Sequence, residues 1–599
     1  ALVLFLLSAH AAPLKLTYLP FPQADYLVWG GLKDVDVSPL VFAVRYFGAV
    51  LGIITLVVAF FVVLGGIVGE HLAAQRPLPG YGVNLAGSLA GILAFTLLAF
   101  CALPPVAWIL VGFALAVPFF LRERLALIFF ALTILATGVP QPNTFWSPYY
   151  RIRLYKLSPP PGWPHPAAYH VDVNHDYHQR VVDLSAAFLA RYPGVEPNRS
   201  AFPTYELPYR LVAAPGEVLI VGAGTGNDVA AALRHGATRV DAVEIDPVIV
   251  KLGRQYHPER PYDSSRVTVY VDDARAFFKK ARKTYDLIVF GYLDSHTLLS
   301  GYSSLRLDNY VYTLESFREA RRLLRQGGTL VLAFNSGTSF VTDRLFATLA
   351  RAFEAPPRAY FTGYDYAGVV LVEGRARDAI SLPDFPEMSR QLASRQQATM
   401  PATDRWPFLY LAERTIPASI LTVLLPFLCG AVVLLRRTLN LPRLAQRENC
   451  HFFFLGAGFL LLETKGVTEL SLLFGSTWIV NAVVIGAFLV MAILANTLVM
   501  LRPISRRVAY AALFLLVGLG MIFPYAMLDA LPATAKVLAA ATIVGLPVFF
   551  SGLVFSRSFR DVAAPSPALG VNLLGAVVGG TLENGVMLAG TTVLGALAV

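Results

Sequence analysis

Cysteine is scarce: the 599 residues contain only Cys101, Cys429 and Cys450. They form no CxxC pair and have no histidine cluster beside them, which excludes a disulfide framework and a structural zinc site. Two of the three fall in or beside apolar runs, where cysteine acts as a small buried apolar residue. Four histidines stand in HPAAYHVDVNHDYH (165–178), at spacings that fit no metal motif, so no metal is expected. Charge is also scarce. Charged residues make up 15% of the chain and hydrophobic residues 56%, against roughly 25% charged in soluble proteins, which excludes a wholly water-exposed chain. The net charge of +10 does not signal nucleic acid. Lys and Arg form no stripe interleaved with aromatics, and many stand in short loops between apolar runs.

What the chain has in abundance is long apolar runs. A span needs about 20 such residues. Candidates lie at 39–68, 83–102, 105–121 and 124–138, then at 415–435, 452–474, 477–500, 508–525, 533–555 and 570–598. The stretch between has ordinary charge and many turn residues, so the order reads membrane, soluble, membrane. The start, ALVLFLLSAHAA, reads either as the end of a span or as the remnant of a signal sequence.

The two apolar halves share a repeat. PLPGYGVNLAGSLAG (77–91) and PSPALGVNLLGAVVG (565–579) match at Pro, Pro, Gly, Val-Asn-Leu, Gly and Gly in identical register. Gly87 with Gly91, and Gly575 with Gly579, are expected to let helix backbones approach closely. Glu463, Lys465, Glu469 and Glu583 are ionisable groups at expected bilayer depth, where such residues are costly. Lys465 and Glu469 are four apart and are expected to neutralise each other. Arg76, Arg122, Arg124, Arg436, Arg437, Arg443, Arg447, Arg502, Arg506, Arg507, Arg557 and Arg560 collect on one face, against Lys15, Lys33 and Lys536 on the other. The arginine face is the cytoplasmic one, which places the soluble domain outside; Arg151, Arg153, Lys156, Arg405 and Arg414 at its junctions argue the other way.

Within the soluble stretch, YYRIRLYKL (149–157) alternates as a strand does. YHVDVNHDYHQRVVDL (169–184) reads as a strand turning into a helix, so 141–215 is expected to be a small β-rich leading subdomain. From 216 to 375, strand-like and helix-like segments alternate, which predicts a doubly wound parallel sheet. Residues 376–414 read as a linker. After the first strand of the sheet comes GAGTGND, with Gly222, Gly224 and Gly226 allowing a tight turn and close ligand approach to backbone N–H groups. The second strand ends in Glu244, about 20 residues on, where a carboxylate can accept both ribose hydroxyls. The third ends in Asp272-Asp273-Ala274, where an aspartate can accept from an adenine amino group. Taken together these features point to an adenosyl site.

GAGTGND, VEIDP, VDDARAFF, YDLIVFGYLD and YVYTLESFREARRLLRQGG resemble the spermidine synthase family, and the flanking spans are similar to its membrane-bound bacterial members. The resemblance implies a multi-pass α-helical protein of the bacterial inner membrane with an inserted Rossmann-like domain. That domain would transfer an aminopropyl group from decarboxylated S-adenosylmethionine, or a methyl group from S-adenosylmethionine, to an amine. It further implies that Gly222, Gly224, Glu244 and Asp273 hold the adenosyl moiety, and that Gln179 or the pair Tyr205 and Glu206 faces the acceptor. The family's fourth strand ends in DxxD, whose first aspartate deprotonates the amine. Here the stretch is GYLD: Gly291 holds the first position and Asp294 the second. Asp294, Tyr292, His296 or Glu206 would have to substitute. Three functions follow: a membrane-anchored transferase, a catalytically degenerate domain serving as a binding or structural subunit of a membrane assembly, and polyamine transport through the repeated bundle. The partners expected are membrane lipid, a small amine and protein subunits.

Overall fold

The computed structural model describes residues 39–598 other than 159–165, 167, 175, 195–197, 294–306, 337, 365–367, 380–381, 439–446 and 563. Six helices among them are long and apolar enough to cross a membrane: Gly48–Ala73, Pro77–Phe100, Asn449–Phe474, Trp478–Leu501, Thr534–Arg560 and Pro565–Ala589. Pro105–Phe120 and Arg124–Gly138 are apolar but shorter. The first helix leaves Phe61, Val62 and Val63 more than half exposed, an apolar surface that the rest of the described chain does not cover. Cys101 and Cys429 are exposed rather than buried, because they sit on such uncovered faces.

The run expected as one span at 570–598 is broken. Helix Pro565–Leu582 gives way to the turn Glu583–Gly585, then to Val586–Ala589 and Val593–Ala598. The break is at Gly590, whose φ of 82° favours glycine and whose added Cβ would lie 2.4 Å from the Arg405 carbonyl. The chain turns there to meet the exit of the soluble domain: Trp406 Nε1 donates to the Met587 carbonyl at 2.9 Å, and Thr591 N–H to Arg405 O at 2.8 Å.

Both repeat copies open a helix with Pro-x-Pro, where the missing N–H costs nothing. Their glycines then differ. A Cβ on Gly575 would stand 1.9 Å from the Phe453 carbonyl and one on Gly579 2.6 Å from that of Ala457, so this helix lies directly on Arg447–Phe474. Gly87 and Gly91 have nothing within 4 Å. The close approach expected of the first copy is absent, because helix Pro77–Phe100 meets Trp478–Leu501 through another face, where Asn496 Nδ2 donates to Leu78 O at 3.0 Å. Lys465 does not pair with Glu469 among the described ion pairs. Its ammonium donates to the Gly520 carbonyl at 2.7 Å and lies 5.7 Å from the Tyr525 ring centre. Glu583 accepts from Thr464 Oγ1 at 2.9 Å.

The soluble part has two sheets. Strands β1 (Thr144–Trp146), β2 (Arg151–Leu157), β3 (Ala168–Val173) and β4 (Asp176–Val182) form an antiparallel sheet in that order. The segment 169–184 is therefore a hairpin and not a strand followed by a helix. Asn174, at φ 50°, turns the chain, and the alternation continues on both sides of it. The second sheet holds β5 (Glu217–Val221), β6 (Arg239–Glu244), β7 (Val267–Val271), β8 (Tyr285–Phe290), β9 (Leu324–Asn335), β10 (Arg358–Phe361) and β11 (Gly368–Gly374) in the order β10-β11-β9-β8-β5-β6-β7. β9, β8, β5, β6 and β7 are parallel. β11 and β10 add an antiparallel edge that the alternation did not predict. The strand order reverses at β5, and at such a switch point the carboxyl ends of the strands leave a crevice.

The segment 376–414 is packed and not a loose linker. Trp406 and Leu409 are fully buried, and the single guanidinium of Arg344 donates to the carbonyls of Met400, Phe408, Leu409, Leu411 and Ala412.

Candidate functional site

The crevice beyond β5 contains a cavity of ≈ 190 Å³. Its floor is the glycine turn. Gly222, Gly224 and Gly226 have φ of 72°, 54° and 108°, a run that only glycine adopts without strain. Gly222 and Gly224 line the cavity. Gly226 does not; it caps helix Asn227–Arg234 and packs on Pro261 and Tyr262.

Glu244 and Asp273 line the same cavity. Glu244 Oε2 accepts from Gly224 N–H at 2.9 Å and Oε1 from Asp246 N–H at 3.0 Å, so this carboxylate ties the tip of β6 to the glycine turn. Burial pushes its pKa up to about 7. Asp273 caps helix Ala274–Lys280 by accepting from Ala276 N–H at 2.9 Å, and burial raises its pKa as well. It also accepts from the Ser476 N–H, which belongs to the turn after helix Arg447–Phe474. Gly475 in that turn has φ 100°, and an added Cβ would lie 2.7 Å from Asp273 Cβ. An apolar helix pair thus roofs the crevice with Ser476, which lines it. Beside the roof, Trp478 N–H donates to the Tyr149 hydroxyl. A second, mostly apolar cavity of ≈ 660 Å³ adjoins and shares Tyr149, Ile245 and Asp272 with the first.

Bonds brace each side of the cavity, and among them Lys279, from helix Ala274–Lys280, crosses to the roof. Arg275 forms a bidentate pair with Asp404 at 2.5 and 2.6 Å. Lys279 donates to Leu472 O at 2.8 Å and to Asp529 at 3.1 Å, and Lys536 to Leu473 O and Asp529 at 3.0 and 2.6 Å.

Gln179, Tyr205 and Tyr292 also line the cavity. Gln179 Oε1 accepts from Thr225 N–H and Oγ1 at 3.2 and 3.1 Å, while its Nε2 is buried without a partner among the described residues. The Tyr205 hydroxyl accepts from Asn227 Nδ2 at 3.0 Å. The Tyr364 ring lies 6.0 Å from that of Tyr205 and 5.1 Å from that of Tyr292, forming an aromatic wall.

Glu206 is not on that wall. Its carboxylate takes Arg234 at 3.1 Å and His235, and Arg234 is also held by Glu259 at 2.7 Å, a buried cluster that removes Glu206 from any acceptor role. Asp294 and His296 lie outside the described residues. Gly291 stands beside the cavity, its N–H bonded to Val221 O at 3.0 Å. Sequence reasoning missed Asp228, Tyr149, Tyr364 and Ser476. Asp228 ends GAGTGND, where an acidic residue in a first helical turn already has a structural reason; the others come from distant elements and carry no local signal.

The family model for the spermine/spermidine synthase domain matches residues 205–354. Polyamine aminopropyltransferase 2 of Hyperthermus butylicus is 31% identical over 147 residues, which are 23% of this chain and 45% of that protein. The polyamine aminopropyltransferase of Vibrio vulnificus is 29% identical over 199 residues, 32% of this chain and 58% of that one. The chain spans about half the length of the curated relatives it matches. Among solved structures, spermidine synthase from Thermotoga maritima aligns at 14% identity and TM-score 0.30, covering 44% of this chain and 81% of that one. Residues 205–354 are thus similar to the spermine/spermidine synthase domain, and they hold β5 to β9, the parallel part of the Rossmann-like sheet.

Proposed function

We propose that this chain is a membrane-anchored transferase that moves an aminopropyl group from decarboxylated S-adenosylmethionine to an amine acceptor. The observation that carries this reading is the convergence of Gly222, Gly224, Glu244 and Asp273 on one cavity within the matched domain. Glu244 is fixed by two backbone N–H groups and faces the ribose position, where its remaining lone pairs can accept hydroxyl protons. Gly222 and Gly224 let the ligand approach the backbone. Asp273, held between helix cap and roof, bounds the adenine end. In the reaction the amine nitrogen forms a bond to the propyl carbon, the carbon–sulfur bond breaks with its electrons to sulfur, and methylthioadenosine leaves. The chain's task is orientation, exclusion of water by the roof, and removal of one proton from the amine. Methyl transfer from S-adenosylmethionine would use the same adenosyl floor.

The six long apolar helices support anchoring in a bacterial plasma membrane, and the arginine asymmetry supports an extracytoplasmic domain. Protease digestion of intact spheroplasts is expected to reach the domain; digestion only from the cytoplasmic side refutes that placement. A second reading, a degenerate binding or structural subunit, is favoured by one observation: Asp273 already serves the cap and the roof. Polyamine passage through the bundle has less support, since Lys465 and Glu583 are bonded to groups of the bundle itself.

Calorimetric titration of the full-length protein in detergent with methylthioadenosine, S-adenosylmethionine and its decarboxylated form tests the transferase reading. Micromolar binding of the decarboxylated donor and of methylthioadenosine is expected. No heat with any of the three overturns the reading in favour of the subunit.

A further inference from the structure

Four carboxylates line the cavity among the described residues: Asp228, Glu244, Asp272 and Asp273. Three are committed. Glu244 holds the glycine turn, Asp273 holds cap and roof, and Asp272 accepts from Lys280 at 2.8 Å. Asp228 is different. It projects from the first turn of helix Asn227–Arg234, and among the described residues its carboxylate takes only its own backbone N–H. The charged and titratable groups that face it are Tyr205 and Tyr209 from helix Asn198–Leu211, Tyr262 from the turn Pro261–Asp263, and Arg234 of its own helix. Arg234 is already held by Glu206 and Glu259.

The bare strand tip lies against this carboxylate. A Cβ built on Gly291 would stand 3.0 Å from Asp228 Oδ2 and 3.1 Å from the Gly222 carbonyl. The space that a side chain at 291 would enter is therefore taken by Asp228, and glycine at 291 is what leaves room for it. Tyr205 and Tyr292, with Tyr364 between them, add aromatic faces to the same wall. A carboxylate beside aromatic faces is a setting for a cationic amine.

We infer that Asp228 is the general base for the acceptor amine, reached from the helix in place of the strand tip. This rests on the transferase reading above. The ammonium form of the acceptor gives one proton to the Asp228 carboxylate. The freed nitrogen lone pair bonds to the propyl carbon, and the carbon–sulfur electrons pass to the sulfonium sulfur. The products are a secondary ammonium and methylthioadenosine, and Asp228 returns its proton to water. Burial pushes the Asp228 carboxyl up to about 7, close to the working pH at which a general base is most effective.

The experiment uses the full chain in detergent with decarboxylated S-adenosylmethionine as donor and 1,4-diaminobutane as acceptor. Asp228→Asn is expected to keep methylthioadenosine affinity within about twofold while transfer at saturating donor falls about 10²-fold or more, the range of general-base assistance. Working at saturating donor separates Asp228 from Glu244, which titrates in the same range. The acid limb of the transfer rate near pH 7 is expected to vanish with Asp228→Asn. The double variant Asp228→Ala, Gly291→Asp is expected to regain at least about tenfold over Asp228→Ala, which also reports on a folded site should the single variants fold poorly. Transfer undiminished in Asp228→Asn, or an acid limb that survives it, overturns the assignment while leaving the transferase reading in place. A wild-type protein that binds no adenosyl compound refutes the transferase reading itself, and the base with it.

Discussion

The two halves of the cavity spend their polar groups differently. On the adenosyl half, Glu244 and Asp273 already accept from the N–H groups of Gly224, Asp246, Ala276 and Ser476. On the facing half, Gln179 Nε2 is buried without a partner among the described residues, and the Asp228 carboxylate takes only its own backbone N–H. A carboxylate fixed by backbone amides is preorganised, and a ligand uses the lone pairs that remain. A polar group left unbonded in a buried wall costs free energy in the empty protein, and a ligand that bonds it restores that cost. On the proposed reading, the first half would hold a nucleoside in place and the second would act on an amine bound beside it.

Removing a fixed carboxylate should break this contrast most severely. Glu244→Ala strands two N–H groups, at about 1–3 kcal/mol each when buried. A stability loss of about 2–4 kcal/mol in thermal melts is expected, with methylthioadenosine binding weakened about 100-fold by titration calorimetry. Glu244→Gln keeps one acceptor oxygen and should lose far less of both.

Disturbing the roof comes next. Gly475 holds φ 100° with Asp273 Cβ only 2.7 Å from the position of an added Cβ. Gly475→Leu is expected to cost about 1–3 kcal/mol and to weaken methylthioadenosine binding about tenfold, whereas amine affinity measured with the donor site filled should hardly change. Equal losses on both halves would show that the roof positions the whole cavity rather than its adenosyl end.

The smallest effect is on pH. In the folded protein Glu244 and Asp228 keep their protons to about pH 7, while their ordinary values are 4.5 and 3.8. Between those values and about 7 the folded state binds more protons than the unfolded one, so stability falls as pH rises through that window. Melting temperature measured from pH 4.5 to 7.5 should decline, and Glu244→Gln or Asp228→Asn should each flatten part of the slope.

Much of this was legible in the chain. The glycine turn and Glu244 at the tip of β6 follow from strand-glycine-helix spacing, because backbone geometry demands those residue types locally. The helical runs on either side follow from apolar length. Register and partner choice were not legible. The hairpin through Asn174 read as a helix start since 176–184 suits either form, and the last apolar run hid its break at Gly590. The identical glycines of the two repeat copies show the limit most directly: Gly575 and Gly579 lie on a neighbouring backbone, while Gly87 and Gly91 touch nothing within 4 Å.

Sequence alone determined the composition of this protein's parts, a charged α/β stretch with an adenosyl-type turn set between apolar helices, because strand alternation, glycine turns and apolar length are local properties. Only the tertiary structure decided which carboxylate is unspent. That Asp228 fills the space left at Gly291, that Glu206 is locked to Arg234, and that a turn between apolar helices closes on Asp273 all depend on distances between residues remote in the chain. Such distances are set by packing, which no local pattern encodes.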